Sequence, residues 1–239
     1  MVWGPMPRRD YETKRRLLLS SPLFDALPRE AVDEILLQAT EKSVRRGQMV
    51  FQKDDEGSYL VAVLSGRIKI SATSPEGREV TLNLIDAGEV FGEIALLDGK
   101  PRSADATALD NSNLLMVERR HFLPYLISNS DLALRVIAVL CHRLRDTSET
   151  VGNFAMLDLP SRLARKLLSL AAAYGKSANG QVRLELRLSH TDLGRFVGCS
   201  RETVNKQMRA WEEAGIVTKD GGRIAICRSV VLRRIGGQD

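Results

Sequence analysis

LRLSHTDLGRFVGCSRETVNKQMRAWEEAG, residues 186–215, decides how the C-terminal third of the chain folds. Ser189 is a residue type suited to an N-cap, ahead of a short helix over 191–197 with Leu193 and Val197 facing inward. Gly198 permits a tight turn. Ser200 can cap a second helix over 201–214, which Val204, Met208 and Trp211 would pack. That leaves Arg201, Glu202, Asn205 and Lys206 on the outer face of its first turns. The arrangement is a helix-turn-helix, in which the second helix lies in the DNA major groove and its N-terminal residues meet base edges. Arginine can bond guanine O6 and N7 together, and glutamate can accept from the cytosine amino group. Ser200, Thr203 and the helix N-terminus can hold phosphates. Ile216-Val217, Gly221-Gly222 and Arg223 to Ile226 then predict a β-hairpin, or wing.

Charge points the same way. Residues 160–239 carry 15 Lys/Arg against 7 Asp/Glu, whereas residues 1–159 carry 20 against 23. A basic third behind a mildly acidic body implies a polyanionic partner for that third alone. The segment just upstream starts a helix: Asp158 or Ser161 can cap it, Pro160 suits its first turn, and it runs to Tyr174. Residues 175–180 read as a polar loop.

Further upstream, residues 131–155 predict one long helix. Leu134, Ile137, Cys141, Leu144, Ser148, Val151 and Ala155 recur at steps of three and four, flanked by Leu140, Thr147 and Phe154. A heptad stripe of this length predicts a two-helix seam and hence a homodimer through helix 129–157. Residues 44–120 differ: glycines recur between the β-favouring runs 49–51, 59–64, 67–72, 80–85 and 114–117, a pattern of short antiparallel strands in a sandwich or barrel. Residues 28–40 have helical apolar spacing.

The longest apolar run, Val136 to Cys141, is six residues, and the basic N-terminal residues are not followed by a long apolar stretch. No membrane association and a cytoplasmic location are therefore expected. Cys141, Cys199 and Cys227 are too scattered for a disulfide framework or an iron–sulfur cluster, and no Cys/His pair falls in the β-rich region. His121, His142 and His190 lack a catalytic motif context, so an enzyme is not expected. No metal, haem or iron–sulfur cofactor is expected either.

Gly198-Cys199-Ser200-Arg201-Glu202-Thr203-Val204 resembles the recognition segment of the CRP/FNR family of transcription regulators, and the resemblance extends over the chain from about residue 20. It implies an α+β protein. An N-terminal antiparallel β-roll, the jelly-roll-like cyclic-nucleotide-binding domain, would span 21–128 after an extension over 1–20. A dimerisation helix would span 129–157 and a C-terminal winged helix-turn-helix 158–239. Double-stranded palindromic DNA is the implied partner, with base contacts from Arg201, Glu202 and Lys206. Ser189, His190, Thr191, Ser200 and Thr203 would meet the backbone. Lys206 stands where an arginine is usual. The 175–181 loop falls where the family contacts RNA polymerase.

Phe91-Gly92-Glu93-Ile94-Ala95-Leu96-Leu97 with Pro101-Arg102-Ser103-Ala104 resembles the family's phosphate-binding cassette. Gly92 would let backbone approach a sugar-phosphate. Glu93 would accept from a ribose 2′-OH, Arg102 and Ser103 would hold the cyclic phosphate, Ile94 and Ala95 belong to the cassette, and Leu82 would form an apolar wall. Thr147 and Ser148 match the pair that touches the base, Ser148 acting from the opposite subunit. The implied effector is cAMP or cGMP. Two rivals are a family member sensing a haem-bound gas or redox state, and a cyclic-nucleotide module regulating an enzyme.

Overall fold

The computed structural model describes residues 8–21, 23–178, 180–220 and 222–238. The chain divides into two compact units, residues 1–76 with 81–146 and residues 77–80 with 147–239.

The first unit opens with two helices, α1 (Arg8–Leu19) and α2 (Arg29–Gln38). Eight strands follow: β1 (Thr40–Val44), β2 (Met49–Phe51), β3 (Tyr59–Ser65), β4 (Arg67–Thr73), β5 (Glu79–Asp86), β6 (Val90–Phe91), β7 (Asp105–Ala108) and β8 (Ser112–Glu118). A short helix, α3 (Glu93–Asp98), interrupts them after β6; α4 (Arg119–Ser128) and the long α5 (Ser130–Met156), which continues past residue 146 into the second unit, complete the run. The strands form two four-stranded sheets, ordered β1-β8-β3-β6 and β2-β7-β4-β5, the antiparallel roll expected.

β3 explains why the run Tyr59 to Leu64 is apolar without alternation. Val61 and Val63 face a core between the two sheets, with Phe51, Ile68, Phe91 and Leu114. Leu60 and Ala62, on the opposite face, pack under α1, α2, α4 and α5 with Leu18, Phe24, Val32, Phe122 and Leu132. A strand covered on both faces loses its period of two. The segment set apart as an extension contributes to this core: Leu18 of α1 is 2% exposed, and Lys14 pairs with Glu41 of β1.

The second unit continues with α6 (Leu159–Tyr174), the strands β9 (Gly175–Ala178) and β10 (Gln181–Arg187), the helices α7 (His190–Val197) and α8 (Arg201–Glu213), the strands β11 (Val217–Asp220) and β12 (Arg223–Ile226), and α9 (Ser229–Ile235). Asp158 caps α6, accepting from Ser161 N at 3.0 Å. β11-β12-β10-β9 form one sheet. The expected polar loop after α6 is therefore mostly strand. Gly175–Ala178 pairs in register with Gln181–Leu184. Asn179, Gly221 and residues 1–7 lie outside the described residues. No single helix among the described residues is long and apolar enough to cross a membrane.

Candidate functional site

The first candidate site is an open pocket over the start of α3, lined by residues of β2, β4, β6, α3, the 101–104 segment and α5. Gly92 turns the chain into α3 with φ +80, a left-handed conformation that glycine adopts without steric cost. A Cβ there would also sit 2.6 Å from Arg102 Nη1. The turn leaves first-turn amides of α3 without intrahelical partners.

Arg102 is only 2% exposed. Nη1 donates to Gly92 O at 2.8 Å and Nη2 to Tyr59 O at 2.7 Å, while the guanidinium lies 4.2 Å from the Phe51 ring centroid and 4.4 Å from that of Tyr59. Stacking on aromatic faces suits a planar, weakly hydrated cation. Nε is buried with no hydrogen-bond partner among the described residues. Burial holds the Arg102 pKa below the usual arginine value, against Tyr59, Glu93 and Asp55, which draw it upward.

Glu93 is 4% exposed. Neither carboxylate oxygen accepts a hydrogen bond among the described residues. Its charge is instead balanced by Arg143 of α5, whose Nη1 pairs with Oε1 and whose Nη2 donates to Val90 O. The sequence reading left Arg143 out of the site. Only the packing of α5 on the roll brings it to Glu93.

Ile94, Ala95 and Ser103 line the pocket, with Ser103 exposed. Leu82 lies on β5 and is 39% exposed, outside the lining, where Ile70 of β4 supplies an apolar side chain. On α5, Thr147 and Ser148 are exposed. So is the heptad stripe: Leu134 (63%), Ile137 (53%), Leu144 (67%) and Val151 (60%) are large apolar residues left to solvent in the single chain.

The second candidate site is the outer face of α7 and α8. Ser189 and Asp192 form a capping box: Ser189 Oγ accepts from Asp192 N at 3.1 Å and Asp192 Oδ2 accepts from Ser189 N at 2.9 Å. Ser200 caps α8, accepting from Thr203 N at 3.2 Å. Val204, Met208 and Trp211 are buried, which turns Arg201, Glu202, Thr203 and Lys206 outward. Glu202 has its pKa lowered by its own amide and by the Ser200 hydroxyl, so it is an ionised acceptor at neutral pH. His190 lies 3.4 Å from Lys219 of the wing strand β11. Burial, then the charges of Lys219 and Arg201, push its pKa down, while Glu212 and Asn205 oppose that. Thr191 is exposed at the start of α7.

Behind this face the turn is held tightly. A Cβ on Gly194 would lie 2.6 Å from Cys199 O, and one on Gly198 (φ +66) 2.9 Å from the Phe154 ring. Arg162 of α6 donates to Val197 O at 3.2 Å and Leu157 O at 2.7 Å. Gly194 was not singled out in the sequence, although a glycine inside a short amphipathic helix marks close backbone approach.

A buried acid–arginine pocket on a β-roll, together with a capped helix-turn-helix, defines a ligand-binding regulator of nucleic-acid binding. The comparisons make this specific. The family model "Cyclic nucleotide-binding domain" matches residues 41–129, and "Crp-like helix-turn-helix domain" matches residues 161–235. The chain is 32% identical over 215 residues to the "Cyclic AMP receptor protein" of Thermus thermophilus, covering 90% of this chain and 96% of that protein. It is 28% identical over 218 residues to a "CRP-like cAMP-activated global transcriptional regulator" of Mycobacterium tuberculosis, covering 91% and 97%. A solved structure from Xanthomonas campestris, described as a c-di-GMP responsive global regulator, shares the fold with a TM-score of 0.72 at 24% identity, over 83% of this chain and 99% of that one. The chain belongs to the CRP/FNR family of transcription regulators.

Proposed function

We propose that this chain is a cytoplasmic homodimeric regulator whose binding to palindromic promoter DNA is switched by cAMP, with cGMP as the second candidate effector. The Glu93 carboxylate carries the reading: Oε1 pairs with Arg143, while Oε2 is buried with no partner among the described residues. A buried carboxylate oxygen without a hydrogen bond is costly, and a ribose hydroxyl entering the pocket would supply a donor. Gly92, the α3 amides, Arg102 and Ser103 are assigned to the cyclic phosphate, Ile94 and Ala95 to the cassette wall, and Ile70 to the apolar side of the pocket. Arg143 joins this set, since it reaches the same carboxylate from α5.

Thr147 lies one helical turn beyond Arg143, on the same face of α5, and is assigned with Ser148 to the base edge, Ser148 acting across the dimer. A threonine hydroxyl can meet the adenine amino group or the guanine one, which keeps cGMP in view. The names of the relatives from Thermus and Mycobacterium favour cAMP. The exposed stripe on α5 is assigned to the dimer seam: four large apolar residues on one helix face are expected to be covered by a partner helix.

In this scheme the free dimer holds its recognition helices in the wrong arrangement. The effector is gripped by the roll and by α5, so it favours one setting of the paired helices. That setting presents two α8 helices about one DNA turn apart. Arg201, Glu202 and Lys206 then read bases, while Ser189, His190, Thr191, Ser200 and Thr203 hold phosphates. RNA polymerase is proposed to meet the β9–β10 hairpin.

The test is calorimetry with cAMP and cGMP, followed by gel shift on a palindromic site with each. Binding of one nucleotide and nucleotide-dependent retardation are expected. Retardation indifferent to both overturns the effector assignment and leaves a DNA-binding protein with another trigger.

A further inference from the structure

α9 and the glycines after it are not used by the mechanism above, yet they are built into the reader unit. Leu232 of α9 is fully buried, and α9 packs on α6. The chain then turns: Gly236 N and Gly237 N bond back to Leu232 O and Arg234 O, and Gly237 has φ +62. This turn aims the Gly236 carbonyl at Arg165 of α6, whose Nε donates to it at 2.6 Å. The fit is close, because a Cβ on Gly236 would lie 3.2 Å from Arg165 Cγ. The other arm of the same guanidinium reaches the long helix: Arg165 Nη1 donates to Asn153 Oδ1 at 3.0 Å.

A planar fork with fixed donor directions is therefore spread between the last turn of α5 and the C-terminal turn. One turn earlier on α6, Arg162 stands 5.5 Å from the Phe154 ring and holds Val197 O at the end of α7. The last turn of α5 thus has two attachments, Phe154 beneath the reader turn and Asn153 to the C-terminus.

We propose that Arg165 is a positioning residue that braces the end of the long helix against the C-terminal segment 229–238, and that this brace makes the helix–reader junction stiff enough for the effector to govern DNA binding. The proposal rests on the nucleotide-switched reading above. Without the brace, the Phe154 contact alone ties the last turn of α5 to the reader turn, and the junction is looser. The effector would then still bind but command DNA affinity less strongly. By reciprocity, DNA would enhance nucleotide binding less as well.

The experiment compares full-length wild type, Arg165→Met, Asn153→Ala, the double variant and Arg165→Lys. Calorimetry with cAMP in the absence of DNA should give affinities within about twofold of wild type for all of them, since none of these residues lines the pocket. The ratio of DNA affinities with and without cAMP should fall about fivefold or more in Arg165→Met. Asn153→Ala should reproduce part of that loss, and the double variant should add nothing beyond Arg165→Met. Arg165→Lys, with one compact donor group, should recover less than half of it.

An unchanged ratio in Arg165→Met, or fully additive losses in the double variant, overturns the brace. If wild type itself shows no nucleotide effect on DNA binding, the effector reading fails and hydrogen exchange judges the brace separately. Faster exchange over residues 150–157 in Arg165→Met supports it, and unchanged protection there overturns it.

Discussion

The two candidate sites use charge in opposite ways. In the roll, Glu93 and Arg102 are 4% and 2% exposed, Glu93 paired with Arg143 and Arg102 fenced by aromatic rings and backbone carbonyls. On the reader, Arg201, Glu202 and Lys206 are exposed on a helix whose other face is packed. A small ligand must be enclosed to gain affinity from few atoms, so its charged partners are desolvated in advance and become part of the local core. DNA is too large to enclose and brings its own dense charge. Its partners remain hydrated until contact, and their role is in reach and register. A substitution in the roll site should therefore cost stability and binding together, whereas one in the reader should cost recognition alone.

The sharpest break of this contrast is Arg102→Leu. Nucleotide binding should vanish in calorimetry. The carbonyls of Gly92 and Tyr59 would also lose their buried donors at about 1–3 kcal/mol each. The thermal midpoint should fall measurably, and an unchanged melting curve would show that the buried arginine is not structural. Next comes Glu202→Ala. It should leave the melting curve in place and relax discrimination at one base pair by roughly ten- to a hundredfold, read from competition with single-substituted sites. A drop in stability there would blur the distinction between the regions.

Ser200→Ala is intermediate, since its hydroxyl both caps α8 and is assigned to a phosphate. A loss of about 1 kcal/mol in denaturant unfolding is expected alongside weaker, sequence-independent DNA binding.

The smallest effect should be that of pH. His190 in the free protein has its pKa pushed below the usual 6.5 by burial and then by Lys219. A phosphate placed there would raise it, so DNA binding takes up a proton. Affinity should rise as pH falls from about 8 to 6. The rise should disappear in His190→Gln, and a wild-type affinity that falls over that range would contradict the assignment.

Much of the reader was legible because its determinants are local. Ser189, Ser200 and Asp158 each cap the helix that follows them, and Val204, Met208 and Trp211 fall on one face by helical period alone. The long helix was legible for the same reason, its heptad stripe running through residues 131–155. In the roll, the glycine-punctuated runs announced strands, but β1, β6 and β7 were missed. These are short or polar segments such as Thr40–Val44 and Asp105–Ala108, which become strands by pairing with distant partners. β9 escaped notice likewise.

By itself, then, the sequence determined the capped helix-turn-helix, the long helix with its apolar stripe and the residue types around Gly92, since each depends on neighbours within a few positions along the chain. Only the tertiary structure decided that Arg143 faces Glu93, that Arg102 stacks between Phe51 and Tyr59, and that Arg165 joins Asn153 to Gly236. Those partners lie some ten to seventy residues apart. Long side chains have many possible partners at that range, and the choice falls to whichever pair the packed helices and sheets bring together with water removed.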